Sequence, residues 1–93
     1  AQGDGYFGYK FRVLRGQGNQ VAGGRYDYVI NGNMIGGFGL IAWPARYAET
    51  GVSTFVISHA GILYEKDLGP DTEKLAGEIR RFNPDSSWEV VND

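Results

Sequence analysis

The sequence of 93 residues contains no cysteine, one histidine and only three prolines. Without cysteine there is no disulfide framework and no thiolate metal site, and the redox compartment stays undecided. No apolar run approaches the roughly 18–20 residues that a membrane-spanning helix needs. Nine basic and eleven acidic residues give a formal net charge of -2, which creates little attraction for nucleic acid or an anionic membrane. We therefore expect no nucleic-acid partner and no direct membrane insertion by this chain.

Aromatic residues and glycine are abundant: six Tyr, five Phe, two Trp and fifteen Gly. Aromatic side chains favour strands and glycines favour the turns between them, so the composition indicates a β-rich fold. The length suits one domain over residues 1–93. The chain starts Ala1-Gln2 without an initiator Met, which fits a processed export product, an artificial expression product or a fragment.

The first strand is predicted from Tyr9 to Leu14, where Tyr9, Phe11 and Val13 alternate with Lys10, Arg12 and Leu14. This period of two predicts one aromatic face and one mostly solvated face. The following segment, GQGNQVAGG over residues 16–24, has almost nothing to bury and predicts a mobile loop.

The middle of the chain predicts a hairpin. A weak strand over 25–30 is followed by Asn31-Gly32, a dipeptide that tolerates positive φ, and by a return strand over 35–43 that Pro44 ends. Three glycines lie in that return strand: Gly36, Gly37 and Gly39. Glycine inside a strand marks a bulge or a close approach, here expected from a helix, with a ligand as the alternative.

The second half predicts a central strand over 52–58, a tight turn over 58–61, and a partner strand that starts at Ile62. A helix is predicted to begin at the N-cap Asp71 and to run to Asn83-Pro84. Its apolar stripe consists of Leu75, Ala76, Ile79 and Phe82. With a short last strand over 87–91, the prediction is an α+β fold: an antiparallel sheet of about five strands with one C-terminal-half helix packed on one face.

Catalytic and metal-binding patterns are weak. His59 lies in a predicted turn without a nucleophile signature or a second histidine, so we interpret it as an exposed turn residue rather than an acid–base group. Glu65, Asp67 and Asp71 lack the spacing of a calcium loop. We therefore predict no enzyme activity, no cofactor and no metal.

Two kinds of binding site remain open. Trp43, Arg46 and Tyr47 surround Pro44 and would suit a protein interface if they are exposed. Alternatively, the glycines Gly36, Gly37 and Gly39 together with Tyr64 could seat a sugar or a peptide in a concave pocket.

The segments YDYVINGNMIGGFGLIAWPARY, GVSTFVISHAGILYEKDLGPDT and FNPDSSW follow one another in this chain. Together they resemble the C-terminal part of a bacterial family known only as a domain of unknown function, the 2950 family. The resemblance covers roughly Tyr6 to Trp88, and its most specific pieces are NGNMIGGF, AWPARY and YEKDLGPDT. It implies a longer, exported parent protein of which this chain matches the last third. The family has no catalytic residues that could be carried over.

A weaker likeness connects the chain to the globular heads of type IV pilins and pseudopilins. It consists of Gly8-Tyr9-Lys10-Phe11, Ala42-Trp43-Pro44, and the segment 51–55 that leads into Ile62-Leu63-Tyr64. Such heads are antiparallel sheets built on a long N-terminal apolar helix. This sequence has no such helix, so a filament role would need one supplied by a separate chain.

These observations together favour a non-enzymatic structural or interaction domain. We expect it to be extracytoplasmic (periplasmic or extracellular), pilin-head-like, and to bind a protein partner or to self-assemble in a surface or filament assembly. The alternative is a module that binds a small ligand, either a sugar or a peptide.

Overall fold

The computed structural model describes residues 8–92. In chain order the elements of this part are β1 (Tyr9–Leu14), β2 (Gly16–Gln17), β3 (Tyr26–Asp27), β4 (Val29–Ile30), β5 (Asn33–Met34), β6 (Gly39–Pro44), β7 (Ser53–Ser58), β8 (Leu63–Asp67), α1 (Thr72–Glu78) and β9 (Glu89–Val90). Five of the strands form one antiparallel sheet in the order β1-β6-β7-β8-β9. The pairs β2–β3 and β4–β5 form two small ribbons, and α1 packs on β6. The predicted α+β class with a five-stranded antiparallel sheet is confirmed.

The hairpin at Asn31-Gly32 is confirmed, but the strands around it are shorter than predicted. The φ angles are 52° at Asn31 and 81° at Gly32, as a two-residue hairpin turn requires. The returning strand stops at Met34, because the Gly36 amide donates to the Tyr28 carbonyl and turns the chain back. The predicted strand over 35–43 therefore begins only at Gly39, and the strand over 25–30 is divided at Tyr28.

The core lies between the main sheet and the segment that contains α1. Alternate residues of β6 and β7 are buried on this side, as the side-chain period of a strand requires. The buried apolar cluster consists of Leu14, Ile41, Trp43, Val56, Ala76 and Phe82. Tyr64, Ile79 and Trp88 pack against it at its margin.

The helix is shorter than predicted and buries a different set of side chains. It ends at Glu78 rather than continuing to Asn83-Pro84, and Phe82 reaches the core only after the chain has left the helix. Ala76 is fully buried, whereas Leu75 is 37% exposed. Two turns of helix present too little surface to bury a four-residue stripe, so the prediction that Leu75 faces the core is wrong.

The start of α1 is stabilised by Thr72 rather than by the predicted Asp71 cap. Asp71 lies at the N-cap position, but its side chain makes no capping hydrogen bond. The Thr72 hydroxyl, which is buried, instead donates to the Gly69 carbonyl at 2.6 Å. The loop that precedes the helix is thereby held against its first turn.

The two faces of β1 are reversed relative to the sequence prediction. Leu14 is fully buried on the face predicted to be mostly solvated, whereas Phe11 and Val13 are about half exposed. The reason lies in the helix, which covers the face of Lys10 and Arg12 and offers partners for both charges. Arg12 donates to the Ala76 carbonyl at 2.6 Å, which also accepts the Ile79 amide at 3.1 Å, and a positive charge at this position suits the C-terminal end of a helix.

The segment over 16–24 buries more than the sequence predicted. Gly16, Gln17 and Gly18 are buried, and the first two form β2. The Gly18 amide donates to the Phe82 carbonyl, and the Phe82 amide donates to the Gly16 carbonyl. The expectation that this segment has almost nothing to bury is therefore wrong at its beginning, because the chain after α1 pairs with it.

Glu73 connects the helix to the sheet and makes stability depend on pH. Its carboxylate accepts hydrogen bonds from the Trp43 indole at 3.0 Å and from the Lys10 ammonium at 3.2 Å. The Trp43 bond, followed by Lys10, lowers the pKa of Glu73 despite partial desolvation. A lowered folded-state pKa means that the ionised carboxylate stabilises the fold above its unfolded pKa of about 4.3, and that this contribution is lost as the pH falls through the folded-state pKa.

We therefore expect Glu73→Gln to lower the melting temperature more at pH 7 than near pH 3, because the native carboxyl loses its charge as the pH falls through its lowered pKa. Thermal unfolding at both pH values, followed by circular dichroism, measures this. Glu78→Gln, an exposed change on the same helix, is the control and should leave both temperatures unchanged. An equal deficit for Glu73→Gln at both pH values would contradict the proposed role of the charge.

Candidate functional site

The face of the main sheet opposite α1 carries an apolar surface. Cross-strand partners project to the same side of a sheet. The strand registers therefore assign one set of residues to a single face, through the pairs Phe11↔Ala42, Val13↔Leu40, Ala42↔Phe55, Leu40↔Ile57 and Ile57↔Leu63. We call this set the open face: Phe11, Val13, Leu40, Ala42, Phe55, Ile57 and Leu63. It crosses four adjacent strands without a charged residue among its members.

The open face is only partly shielded from solvent by the described part of the chain. Phe11 is 45% exposed and Val13 is 50% exposed, and the other members are half-buried by one another. The seven members, each covering about 4.8 Å by 7 Å of the sheet, give this surface roughly 240 Å². Contiguous apolar patches on monomers rarely exceed a few hundred Å², and the largest ones are often functional.

Acidic groups lie along one margin of the open face. Glu65 pairs with Phe55 on one side and with Glu89 on the other, and Asp67 pairs with Ser53, so all three carboxylates share this side of the sheet. No salt bridge between residues 8 and 92 engages any of the three. We call this group the acidic margin.

Two tyrosine hydroxyls lie beside the open face and its margin. Tyr9 packs its ring 6.0 Å from that of Phe55, and its hydroxyl donates to the Ser53 carbonyl at 3.0 Å. Burial raises the pKa of Tyr9, and the negative charge of Glu65 raises it further. The Tyr47 hydroxyl donates to the Asp67 carboxylate at 2.7 Å, and this bond raises the pKa of Tyr47.

The predicted interface trio is not a single exposed patch. Trp43 is 7% exposed and belongs to the core on the helix side of the sheet. Its indole donates to Glu73, which explains why an aromatic residue beside a proline turned inward. Arg46 is exposed and Tyr47 reaches the acidic margin, so these two remain interface candidates while Trp43 does not.

The predicted ligand site at the glycines is filled by protein side chains. A side chain at Gly37 would meet the rings of His59 and Tyr28, and one at Gly39 would meet Leu14 and Phe82. Gly36 is approached by the backbone of residues 27 and 28. The expected close approach is therefore present, but it comes from these residues and not from the helix, so the glycines leave no space for a ligand.

Tyr64 and His59, in contrast, line a common cavity of about 230 Å³ together with Gln17, Tyr26 and Phe82. The ring of His59 is 3.5 Å from the Tyr26 hydroxyl, and its Nδ1 is 3.2 Å from the Phe38 amide nitrogen. The volume is below the roughly 300 Å³ at which small-molecule pockets usually begin. His59 is exposed at a tight turn, as predicted, with Gly61 at a φ of 86°.

Neither a metal centre nor a membrane span is found within residues 8–92. No group of three or more His, Asp and Glu side chains in this range is arranged to hold a metal ion. The helix of this range is also too short and too polar to cross a bilayer.

The sequence contains a signal for the open face. The alternation Tyr9-x-Phe11-x-Val13 predicts an aromatic face, and the structure places this face on the side of the sheet away from α1. The apolar residues on both sides of β7 were a second signal, since such a strand requires cover on both faces.

The fold is a small two-layer α+β domain. One short helix lies on one side of a five-stranded antiparallel sheet, and an apolar surface lies on the other side. The chain belongs to the family described as "Protein of unknown function (DUF2950)", whose model matches residues 1–91. No curated protein and no solved structure matches the chain.

Proposed function

We propose that this chain is a non-enzymatic interaction domain of an exported, pilin-like assembly, and that its open face holds an amphipathic helix of a partner protein. The observation that carries the proposal is the half-exposed apolar surface across β1, β6, β7 and β8. Burying apolar area gains roughly 25 cal/mol per Å², so a patch of this size provides a substantial driving force for association.

The size of the open face favours a helix over a second copy of the domain. A stable interface between two proteins buries about 800 Å² on each partner, about three times the area of this face. A helix is about 10 Å wide and rises 5.4 Å per turn, so about three turns span the four strands, which lie about 4.8 Å apart. A single helix therefore matches the apolar surface, whereas a second domain would extend well beyond it.

The acidic margin indicates the chemistry of that helix. An apolar stripe with a spacing of three and four residues would contact Phe11, Phe55 and Ile57. Lysine or arginine on one flank would lie beside Glu65 and Asp67, which favours one orientation of the helix over the other. The weaker likeness to pilin heads, in which a sheet packs on an apolar helix, agrees with this arrangement.

Photo-crosslinking in the native host tests the proposal with the protein as it is made there. Benzoylphenylalanine replaces Phe11 on the open face, and in a second strain it replaces Ile35, which is 72% exposed and lies outside that face. After irradiation, mass spectrometry identifies the residues that are joined to each position. We expect position 11 to crosslink efficiently to one protein segment, and position 35 to crosslink little and without preference.

Three outcomes would count against the proposal. Crosslinks from position 11 to the same position of another copy would indicate a face-to-face dimer instead. Equal yields at positions 11 and 35 would indicate that the open face is not a preferred surface. A joined segment without apolar residues at helical spacing would exclude an amphipathic helix.

A further inference from the structure

A second surface depression lies on the helix side of the sheet, where the chain leaves α1. This cleft has a volume of about 320 Å³. Its apolar walls are Val56, Ile79, Pro84 and Trp88, and its polar walls are Arg80, Arg81 and Asn83. The volume lies at the lower end of the range for small-molecule sites, and the mixture of apolar walls with a few charged groups is typical of them.

The two arginines of the cleft differ in their engagement. Arg81 is held by the Asp27 carboxylate and donates to the carbonyls of Gln17 and Tyr26, at 2.9 Å and 3.1 Å. Within residues 8–92 no hydrogen bond or salt bridge engages the guanidinium of Arg80. Arg81 therefore supports the fold, whereas Arg80 has its donors available.

Arg80 also borders a neighbouring depression of about 290 Å³ that Arg15 and Asp27 line. Arg15 likewise has no salt-bridge partner in the described range. The charge of Arg80 reaches Arg12 as well, where it adds to burial in lowering the pKa of that guanidinium. Three arginines, Arg15, Arg80 and Arg81, thus line the two depressions against the single carboxylate of Asp27, although the chain as a whole is acidic.

We propose that this cleft binds a small organic anion that has a flat apolar body. Arg80 binds the phosphate or carboxylate group at the border with the depression that Arg15 lines, because a guanidinium presents paired donors that match either anion. The apolar body lies against Trp88 and Ile79, where aromatic contact and burial stabilise it. The Lys66 ammonium lies 6.0 Å from the Trp88 ring and keeps the surroundings of the site positive.

The test uses 2-naphthyl phosphate as the probe and isothermal titration calorimetry on the purified domain. Inorganic phosphate supplies the charge alone, 2-naphthol supplies the apolar body alone, and 2-naphthoate replaces phosphate by carboxylate. We expect the naphthyl phosphate to bind at least tenfold more tightly than inorganic phosphate or naphthol. The comparison with naphthoate shows which anion the arginines prefer.

Arg80→Gln should weaken binding of naphthyl phosphate at least tenfold, because glutamine lacks the charge and the paired donors that hold the anion. The matched control is Arg46→Gln, which makes the same charge change at an exposed arginine whose contact with Glu49 is 3.9 Å. It should leave the affinity unchanged. Neither variant should alter the melting temperature, since neither side chain joins the buried core.

Nuclear magnetic resonance locates the probe, because the domain has two tryptophans in different places. The indole signal of Trp88 should shift on titration, whereas that of Trp43, buried beside Glu73, should not. No binding by the native domain would overturn the proposal. An unchanged affinity of Arg80→Gln for naphthyl phosphate would also overturn it, as would an affinity for 2-naphthol equal to that for naphthyl phosphate.

Discussion

Replacing Phe82 by alanine is expected to reduce the free energy of unfolding by about 3–5 kcal/mol. The side chain is 4% exposed and belongs to the core cluster. Its ring centre lies 5.9 Å from that of Tyr64, and its Cβ would contact a side chain placed at Gly39. The substitution removes an aromatic ring at the point where the chain after α1 joins the sheet, so the surroundings cannot easily collapse into the space.

Chemical denaturation in urea, followed by the change in circular dichroism, gives this free energy directly. Leu75→Ala is the control because Leu75 was predicted to share the same apolar stripe and is instead 37% exposed. It should cost less than about 1 kcal/mol, since much of its surface is already in water. Comparable losses for the two variants would contradict the observed path of the chain after the helix.

Replacing Gln17 by alanine is expected to reduce the free energy of unfolding by about 2–4 kcal/mol. The side chain is 3% exposed, and its amide donates to the Ala22 and Gly24 carbonyls at 2.9 Å and 2.8 Å. Its carbonyl accepts the hydroxyl of Tyr28, which is fully buried, at 3.0 Å. Alanine would leave the buried Tyr28 hydroxyl unpaired, which costs about 1–3 kcal/mol, and the lost bonds to the more exposed carbonyls of Ala22 and Gly24 add about 0.5 kcal/mol or more each.

The Gln17 prediction is measured by urea denaturation together with amide hydrogen exchange. Gln20→Ala, at an exposed position of the same segment, is the control and should have a small effect. We also expect the Gly18 amide, which donates to the Phe82 carbonyl, to exchange slowly in the native domain and faster in Gln17→Ala. A stable variant with unchanged exchange would show that Gln17 does not organise the segment. The mobility of the whole segment over 16–24 stays a prediction, and the amide exchange rates of its residues would test it.

Local signals in the sequence were sufficient for the turns and for most of the main strands. The Asn31-Gly32 hairpin and the tight turn over 58–61 depend on a few neighbouring residues, and both are found where the sequence predicted them. The central position of β7 followed from apolar residues on both of its faces and is confirmed by its two neighbours in the sheet. Such features require no knowledge of distant contacts.

Features that depend on distant contacts could not be predicted in this way. The inward orientation of Trp43 depends on Glu73, thirty residues further along the chain. The burial of Gln17 depends on Tyr28 and on the chain that leaves α1, as does the pairing of Gly18 with Phe82. A glycine-rich polar segment is typical of a loop unless side chains from elsewhere cover it.

The open face illustrates the same limit for a site. Its residues are ordinary core-forming types, and alternation alone cannot tell which side of a sheet a helix will cover. Only the register and the position of α1 reveal that Phe11 and Val13 lie on the uncovered side. The cleft beside Arg80 is equally hidden in the sequence, because two adjacent arginines are typical of a solvated surface.

The two proposed sites lie on opposite sides of the main sheet and can be tested independently. The open face is opposite α1. The cleft lies on the helix side, because one of its walls is Val56, which belongs to the core between the sheet and the helix segment. A helix bound to the open face would therefore leave the anion site accessible. Failure of the naphthyl phosphate titration would leave the helix proposal intact, and the reverse is also true.

The spacing of crosslinks formed from the open face tests the central claim most directly. Benzoylphenylalanine placed in turn at Phe11, Phe55 and Leu63 samples three strands of that face. We predict that all three positions join a single partner segment, at residues three, four or seven apart, with lysine or arginine nearest to position 55, which lies opposite Glu65 of the acidic margin. Crosslinks scattered over unrelated segments, or joined at every second residue as in a strand, would contradict the account.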